Sequence, residues 1–141
     1  MSSTEPATQF NVFSLTLLRD RLLPSLLQDD QNEILYWAGK DLAHDIYLHG
    51  IKSIQQFFFD AGFGDLQITA QNETGQIWTL SGSIVETRIN DKKSASFDLE
   101  AGFLAAQTER QIEHGAESQY QVEHNSVMFT VMTEVPATLA E

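Results

Sequence analysis

The spacing of apolar residues changes along the chain, and this change limits the fold more than any other feature. Up to about residue 61, apolar residues recur every three or four positions, as on one face of an α-helix. From residue 66 they alternate with polar residues, as in β-strands. A helical spacing returns at 96–115 before alternation resumes. The sequence therefore predicts the order ααα-ββ-α-ββ, an α/β domain of the α+β type with a four-stranded antiparallel sheet and about four helices.

Three helices are predicted in the first part of the chain, at 13–27, 31–47 and 51–61. Pro24 lacks an N–H group, so the first helix should kink or restart there. That helix is apolar over more than one stripe, which indicates burial on two sides or a subunit interface. Gly39 interrupts the apolar stripe of the second helix at a cost of about 1 kcal/mol relative to Ala. A small residue there predicts a close neighbouring backbone.

Four strands are predicted around the last helix. The first, at 66–70, is followed by a hairpin turn at 72–75. The second is expected to run from Ile77 to Ile89, with a bulge or bend near Gly82–Val85 where the alternation slips by one residue. The remaining predicted elements are the helix Ser96–Gly115, strands around Tyr120–Val122 and Val127–Val131, and a tight turn at Asn125–Ser126.

Length and composition fit a single globular domain. The chain has 141 residues, of which 42% are hydrophobic and 10% aromatic, enough for a core of its own. We expect the domain to span residues 10–133, with flexible tails at 1–9 and 134–141. Cysteine is absent, which excludes disulfides, thiolate nucleophiles and zinc–thiolate sites.

The net charge of −12 constrains the partners. Because affinity for nucleic acids rests mainly on Lys and Arg, we expect no nucleic-acid binding. We also expect no membrane insertion, since no stretch of about 18 apolar residues occurs. The polar start, 1–9, lacks the pattern of a signal peptide, so a cytoplasmic location is expected.

Polar residues offer few candidates for chemistry. Asp41, His44, Asp45 and His49 share one side of a predicted helix, a weak metal-site pattern that is more typical of a solvated face. The carboxylate pairs Glu109/Glu113 and Asp98/Glu100 are better explained as exposed helix ends and N-terminal dipole partners. No nucleophile elbow, phosphate loop or zinc-protease motif occurs. The sequence therefore predicts a protein that is not an enzyme, with no catalytic residue, metal or cofactor.

Aromatic residues supply the remaining signal. They could line an apolar pocket, or they could fill an ordinary core, as buried aromatic residues mostly do. The candidates for the pocket are Trp37, Phe57, Phe58, Trp78 and Phe103.

Three segments resemble the YslB family of small bacterial proteins, over about residues 10–133. They are Leu18-Arg19-Asp20 with the following Leu22-Leu23-Pro24 and Leu26-Leu27, Ile34-Leu35-Tyr36-Trp37-Ala38-Gly39-Lys40, and Leu99-Glu100-Ala101-Gly102-Phe103-Leu104-Ala105-Ala106-Gln107. The family has no established function. Its fold is similar to that of vinyl-reductase-type small-molecule-binding domains, haem nitric-oxide-binding domains and the core subunits of the vesicle-tethering TRAPP complex.

This resemblance implies a ligand-binding fold and a homodimer formed through the N-terminal helices, for which Leu15, Leu17, Leu18 and Leu22 are the interface candidates. Metal and acyl attachment in the related domains use cysteine, which this chain lacks. The Tyr-x-Ser-x-Arg haem motif is also missing, because the nearest match, Tyr120-x-Val122-x-His124, lacks its Ser and Arg. The resemblance therefore carries over no metal, haem or catalytic residue.

Three functional hypotheses follow. The first is a non-enzymatic binding or regulatory module for an apolar small molecule. The alternative is a homodimeric interaction or scaffold module that uses the leucine-rich first helix. An enzyme that uses carboxylates or histidine ranks last, because no base–nucleophile pair or metal set is evident.

Overall fold

The computed structural model describes residues 11–91 and 95–141. Its helices are α1 (Val12–Leu17), α2 (Leu23–Leu27), α3 (Gln31–His44), α4 (Gly50–Asp60), α5 (Ser83–Asn90) and α6 (Asp98–Ile112), with a π-helical turn (Leu18–Leu22) between α1 and α2 and a 3₁₀ turn (Gln28–Asp30) before α3. Its strands are β1 (Asp65–Asn72), β2 (Gly75–Ser81), β3 (Ala116–Val122) and β4 (Val127–Thr133). Within those two ranges, no helix is long and apolar enough to cross a bilayer.

The irregularity predicted at Pro24 takes the form of the π-helical turn just before it. Pro24 cannot donate a hydrogen bond to the carbonyl four residues earlier, so that α-helical contact is lost. The N–H of Leu23 instead donates to the Leu18 carbonyl, one residue further back than in an α-helix. The turn rotates Arg19 and Asp20 toward the interior, where both are buried.

The four strands form one antiparallel sheet in the order β1-β2-β4-β3, which confirms the predicted fold class. Both predicted hairpins are present, since β1 leads into β2 and β3 into β4. A bulge lies in β1, where the register shifts between Ile68 and Ala70. Alternate residues of β4 are buried, as expected for a sheet that is covered by helices on one face.

The second strand is shorter than predicted, and the expected strand to Ile89 is wrong. β2 ends at Ser81, and residues 83–90 form α5. Gly82 has a φ of 113°, a conformation that breaks the strand and that only glycine adopts easily. After it, Ile84, Val85 and Arg88 fall on one helical face and are buried. The β-branched residues of this segment resemble a strand in sequence, but tertiary burial outweighs that weak preference.

Helix α6 is the central element of the core. It packs between α3 and the sheet, and the residues from Glu100 to Thr108 are all buried. Its contact with α3 is close because a glycine on each helix faces backbone of the other. A Cβ atom on Gly39 would collide with the Leu99 carbonyl oxygen, and one on Gly102 would collide with that of Tyr36. The close approach predicted at Gly39 is therefore confirmed.

The last residues contact the body of the domain, whereas the sequence indicated a loose tail. The Ile51 N–H donates to the Ala140 carbonyl at 2.8 Å, and the Leu139 N–H donates to Gln71 Oε1 at 2.7 Å. The Leu139 side chain is buried. The expected tail at 1–9 lies outside the described residues, and the domain bounds of 10–133 stay a prediction.

Replacing either helix-packing glycine by alanine should destabilise the fold. Gly39→Ala and Gly102→Ala each place a methyl group against a backbone oxygen that cannot move without separating α3 from α6. We expect a loss of about 1–3 kcal/mol in the free energy of unfolding, measured by urea denaturation, despite the higher helix propensity of Ala. Gly115→Ala is the control, because its nearest neighbour is the flexible end of Glu134. Unchanged stability in both helix variants would contradict the close packing.

Candidate functional site

A small cavity opens where the turn after α4 meets the end of β2. Its volume is about 170 Å³. The β1–β2 hairpin supplies Asp65 and Ser81, and α5 supplies Ile84. The full lining consists of Phe59, Gly62, Gly64, Asp65, Ser81, Gly82, Ser83 and Ile84. The site is therefore mostly apolar with one carboxylate and two hydroxyl groups, the composition expected of a small-molecule site.

Three glycines give this cavity its shape. Gly62, Gly64 and Gly82 all have positive φ angles, of 76°, 140° and 113°. A Cβ atom on Gly64 would stand 2.8 Å from a methyl carbon of Val85 and 2.9 Å from the Ser81 carbonyl oxygen. Glycine is thus required both by the backbone and by the lack of space. Of these three positions, the sequence pattern marks Gly62 only as the end of the predicted helix 51–61, and Gly82 only as part of a bulge or bend.

A second, wider groove adjoins the cavity. Its volume is about 540 Å³, and it lies between α4 and β1. It shares Phe59, Asp65 and Ser81 with the small cavity, so the two form one continuous depression. The other lining residues are Lys52, Gln55, Gln56, Leu66 and Gln67. The small cavity is therefore the apolar inner end of this depression, and the wide groove is its polar outer end.

Four charged side chains form a buried cluster that links the first helical segment to α5 and α6. Arg88 Nε lies 3.0 Å from one oxygen of Asp20, and Arg88 Nη2 lies 2.9 Å from the other. Arg19 Nη2 donates to Glu100 Oε1 at 2.8 Å. Both guanidinium groups also donate to the Ser96 carbonyl, at 3.3 and 2.7 Å. All four residues are buried, with exposures of 5% for Arg19, 2% for Asp20, 1% for Arg88 and 0% for Glu100. Their charges are therefore balanced by one another and hardly at all by solvent.

Pairing offsets the effect of burial on Glu100 and Arg19. Burial is the largest influence on Glu100 and favours its neutral form, but Arg19 and Arg88 outweigh it and hold the pKa of Glu100 below its ordinary value. Burial likewise acts to lower the pKa of Arg19, yet Glu100 beside it raises that pKa overall. The cluster has two positive and two negative charges, so it is neutral as a unit. This arrangement is typical of a structural clamp rather than a catalytic pair.

The cluster orients the first helical segment with its polar side inward. Within Val12–Leu27, Arg19 and Asp20 are the two buried residues. Apolar side chains point outward instead. The exposed ones are Phe13, Leu17, Leu18, Leu22 and Leu26, with exposures from 44 to 69%. Of the predicted interface residues, Leu17, Leu18 and Leu22 belong to this outward face, and Leu15 is half-buried against the core.

The five predicted pocket residues do not line the cavity or the groove. Phe57 stacks on Phe103 with ring centroids 4.7 Å apart, and Phe58 meets Phe103 edge to face at 5.9 Å. Trp78 is fully buried, with its indole N–H donating to Gln76. Trp37 lies apart from them and is 58% exposed. In this state of the molecule, Phe57, Phe58, Trp78 and Phe103 fill the core, and their role as a ligand site stays a prediction.

The polar candidates for catalysis and metal binding are dispersed. Asp41, His44, Asp45 and His49 are all exposed. Across residues 11–91 and 95–141, no three His, Asp or Glu side chains converge as metal ligands would. Of the carboxylate pairs, Glu109 accepts a hydrogen bond from the Ala116 N–H, and Asp98 accepts one from the Ser96 hydroxyl. Burial raises the pKa of Asp98, although the hydrogen bonds that Asp98 accepts from Ser96 and Tyr120 act to lower it.

Sequence reasoning missed both the clamp and the cavity. The sequence patterns do not single out Arg19, Asp20 or Arg88 as site residues, and they favour Glu100 as a dipole partner at a helix start over a catalytic role. A signal for the clamp does exist, because an Arg-Asp pair interrupts a run of leucines in a segment that should bury its apolar side. No comparable signal marks the cavity, because its walls come from two separate stretches of chain, 59–65 and 81–84.

Removing one charge of the clamp should cost far more than removing a charge from the surface. Glu100→Gln leaves the Arg19 and Arg88 guanidinium groups facing one buried carboxylate. We expect a loss of about 3–5 kcal/mol in the free energy of unfolding, measured by guanidinium denaturation at neutral pH. The matched control is Glu113→Gln, an exposed position at the end of α6, which should change stability by less than about 0.5 kcal/mol.

The same carboxyl group predicts a pH dependence. Because folding lowers the pKa of Glu100, its stabilising contribution is present above the unfolded value of about 4.3 and is lost as the pH falls through the folded value. Stability of the parent should therefore fall more steeply below pH ~4.3 than that of Glu100→Gln. Parallel acid profiles for the two proteins would show that Glu100 is not paired in this way.

Comparisons with known proteins agree with the fold. The family model described as "Protein of unknown function (DUF2507)" matches residues 12–132. The uncharacterised protein YslB of Bacillus subtilis (strain 168) is 34% identical over 125 residues, which cover 87% of this chain and 84% of the relative. The resemblance seen in the sequence is thereby confirmed.

Two solved structures share the fold. A vinyl-4-reductase family protein from Methanocaldococcus jannaschii has a TM-score of 0.53 and 22% identity, with 94% of this chain and 83% of that chain covered. The phenol-responsive sensory domain of the transcription activator PoxR, solved with phenol, has a TM-score of 0.58 and 10% identity, with 88% and 75% covered. The matched family model and the Bacillus relative show that the chain belongs to the DUF2507 family of proteins of unknown function.

Proposed function

We propose that this protein is a non-enzymatic binding or regulatory domain whose ligand is a small molecule held in the cavity between the α4–β1 turn and α5. The observation that carries this proposal is the cavity itself. Three glycines with positive φ angles, Gly62, Gly64 and Gly82, line about 170 Å³ of space beside Phe59 and Ile84. An apolar cavity of roughly 150 Å³ is large enough to bind benzene. The expected ligand is therefore about the size of one aromatic ring.

The fold supports this choice of function. One structural neighbour is a sensory domain that was solved with phenol, which is itself a one-ring molecule. At 10% identity this likeness concerns the fold, so it supports a ligand-binding role without identifying the ligand. The aromatic cluster on the inner side of α4 is filled by side chains, which leaves the glycine-lined cavity as the better candidate.

The non-enzymatic part of the proposal rests on the chemistry of the cavity. Its lining offers one carboxylate, Asp65, and two hydroxyl groups, Ser81 and Ser83, with no histidine or lysine to act as their partner. General acid–base or nucleophilic catalysis needs a positioned pair of such groups. A vinyl-4-reductase family protein is among the fold neighbours, and its name points toward an enzyme, but at 22% identity the likeness concerns the fold.

Blocking the cavity should abolish binding of a one-ring probe. In an NMR titration with toluene, the amide signals of Gly62, Gly64, Gly82 and Ile84 should shift together, because these residues line the cavity. At 100 times its Kd, the probe should stabilise the fold by about 2.7 kcal/mol, measured as a rise in Tm. Ser83→Phe places a ring at the mouth and should remove both effects.

Thr87→Phe is the matched control, since it adds the same ring to an exposed position of α5 outside the cavity. This variant should bind toluene like the parent. Failure of toluene and similar one-ring compounds to move any of these signals at millimolar concentration would refute the proposal.

A second candidate function is a homodimeric interaction module, and the orientation of the first helical segment favours it. Burying a leucine side chain gains about 1.5–3 kcal/mol, yet this segment buries Arg19 and Asp20 and leaves most of its leucines half-exposed. Burying a charge carries a desolvation penalty that good pairing only offsets. A helix that serves only its own core would therefore turn its leucines inward, so the outward face suits a partner.

A second copy of the chain is the proposed partner. The outward face is mostly apolar and has one exposed charge, Arg21, so two identical faces can pack on one another about a twofold axis if Arg21 stays at the rim. Each copy carries a net charge of −12, so the two copies repel one another at long range. Salt screens that repulsion, and the dimer should therefore tighten as ionic strength rises.

Light scattering coupled to size exclusion tests the dimer. The parent should elute as a dimer at micromolar concentration, and Leu17→Asp together with Leu22→Asp should give a folded monomer. Both side chains are already about half-exposed, so the monomer itself should survive the change. Ser25→Asp is the control, because it adds the same charge to an exposed polar position of α2. A monomeric parent at all salt concentrations would exclude this function.

A further inference from the structure

The carboxylate of Asp65 occupies the junction between the cavity and the outer groove. Asp65 lines both, together with Phe59 and Ser81. Its Oδ2 atom lies only 3.1 Å from the point where a Cβ atom on Gly82 would stand, which places it at the wall that glycine keeps open. A ring inside the cavity therefore has this carboxylate at its entrance.

Asp65 is also the one ionisable group among the residues that line the cavity. Within residues 11–91 and 95–141, its carboxylate takes part in no ion pair and accepts no hydrogen bond from a protein group. An ionised carboxylate accepts hydrogen bonds and donates none. The cavity thus offers a ligand an apolar floor and a single charged acceptor.

The charge of this acceptor selects among ligands. Two cationic groups of the domain, Arg19 and Arg88, are already paired in the buried clamp. Lys52 lines only the outer groove. A ligand that carries a negative group next to its ring would meet Asp65 at short range, in a protein with a net charge of −12. A ligand that carries a positively charged hydrogen-bond donor would be attracted both by Asp65 and by the net negative charge of the protein.

We propose that the cavity binds a single-ring molecule with an ammonium group next to the ring, and that Asp65 accepts the hydrogen bond from this group. The inference rests on the proposed function, because it names the ligand class for the same cavity. The ring fills the space beside Phe59 and Ile84, and the ammonium group reaches the entrance. Because Asp65 is exposed to solvent, this hydrogen bond between charged partners should raise affinity about twofold to fivefold over a ring that lacks the donor.

Four probes of nearly equal shape test this inference by isothermal titration calorimetry: benzylammonium, benzyl alcohol, toluene and benzoate. We expect benzylammonium to bind about twofold to fivefold more tightly than toluene, with benzyl alcohol between them and benzoate weakest. Asp65→Asn should remove the advantage of benzylammonium over toluene. Added salt should weaken benzylammonium binding alone, because only that contact joins two charges.

Asp60→Asn is the matched control, since it makes the same chemical change at an exposed residue of α4 outside both the cavity and the groove. It should leave all four affinities unaltered. Equal binding of toluene and benzylammonium would overturn the ammonium assignment while the ring-binding function stands. Tightest binding by benzoate would also overturn it and would indicate Lys52 as the anchor. Absence of binding by every probe would remove both proposals.

Discussion

The rest of the structure depends on the buried clamp formed by Arg19, Asp20, Arg88 and Glu100. Its four charges come from the first helical segment, α5 and α6, so it joins the first segment to two elements that lie 68 and 81 residues further along the chain. Removing one member of a buried ion pair is strongly destabilising, and the clamp therefore restrains each element in rotation as well as in position. Because the clamp holds Arg19 and Asp20 inward, the first segment turns its leucines outward. The same clamp therefore supports the fold and exposes the face that the proposed homodimer would use.

The core itself is closed by two features that leave no room for a ligand at its centre. The glycine contacts bring α3 against α6, and phenylalanines from α4 and α6 fill the space between those helices and the sheet. A small cavity opens at the edge of this packing, between the α4–β1 turn and the start of α5, and Gly62, Gly64 and Gly82 are among the residues that line it. A small ring-shaped ligand at this edge would touch the end of α4, the first hairpin and α5 together, and these are the elements that a regulatory ligand could couple.

Much of the fold could be predicted because it follows local rules. Hydrophobic period gave the order of helices and strands, Pro24 marked the irregular turn, and Gly39 marked the close helix contact. The error at 83–90 has a clear reason, since Val85, Thr87 and Ile89 are β-branched and alternate as in a strand. Only the burial of Ile84, Val85 and Arg88 on one side decides for a helix, and burial depends on what lies across the core.

The sequence by itself determined the α+β class, the sheet with its two hairpins, the family and the lack of any cysteine-based chemistry, because these depend on composition and on the spacing of neighbouring residues. Tertiary structure alone decided which charges are buried and where a cavity remains. Arg19 meets Glu100 across a gap of 81 residues, and the cavity walls join α4, β2 and α5. Such contacts are set by how whole elements pack, and no local pattern in one sequence records that packing.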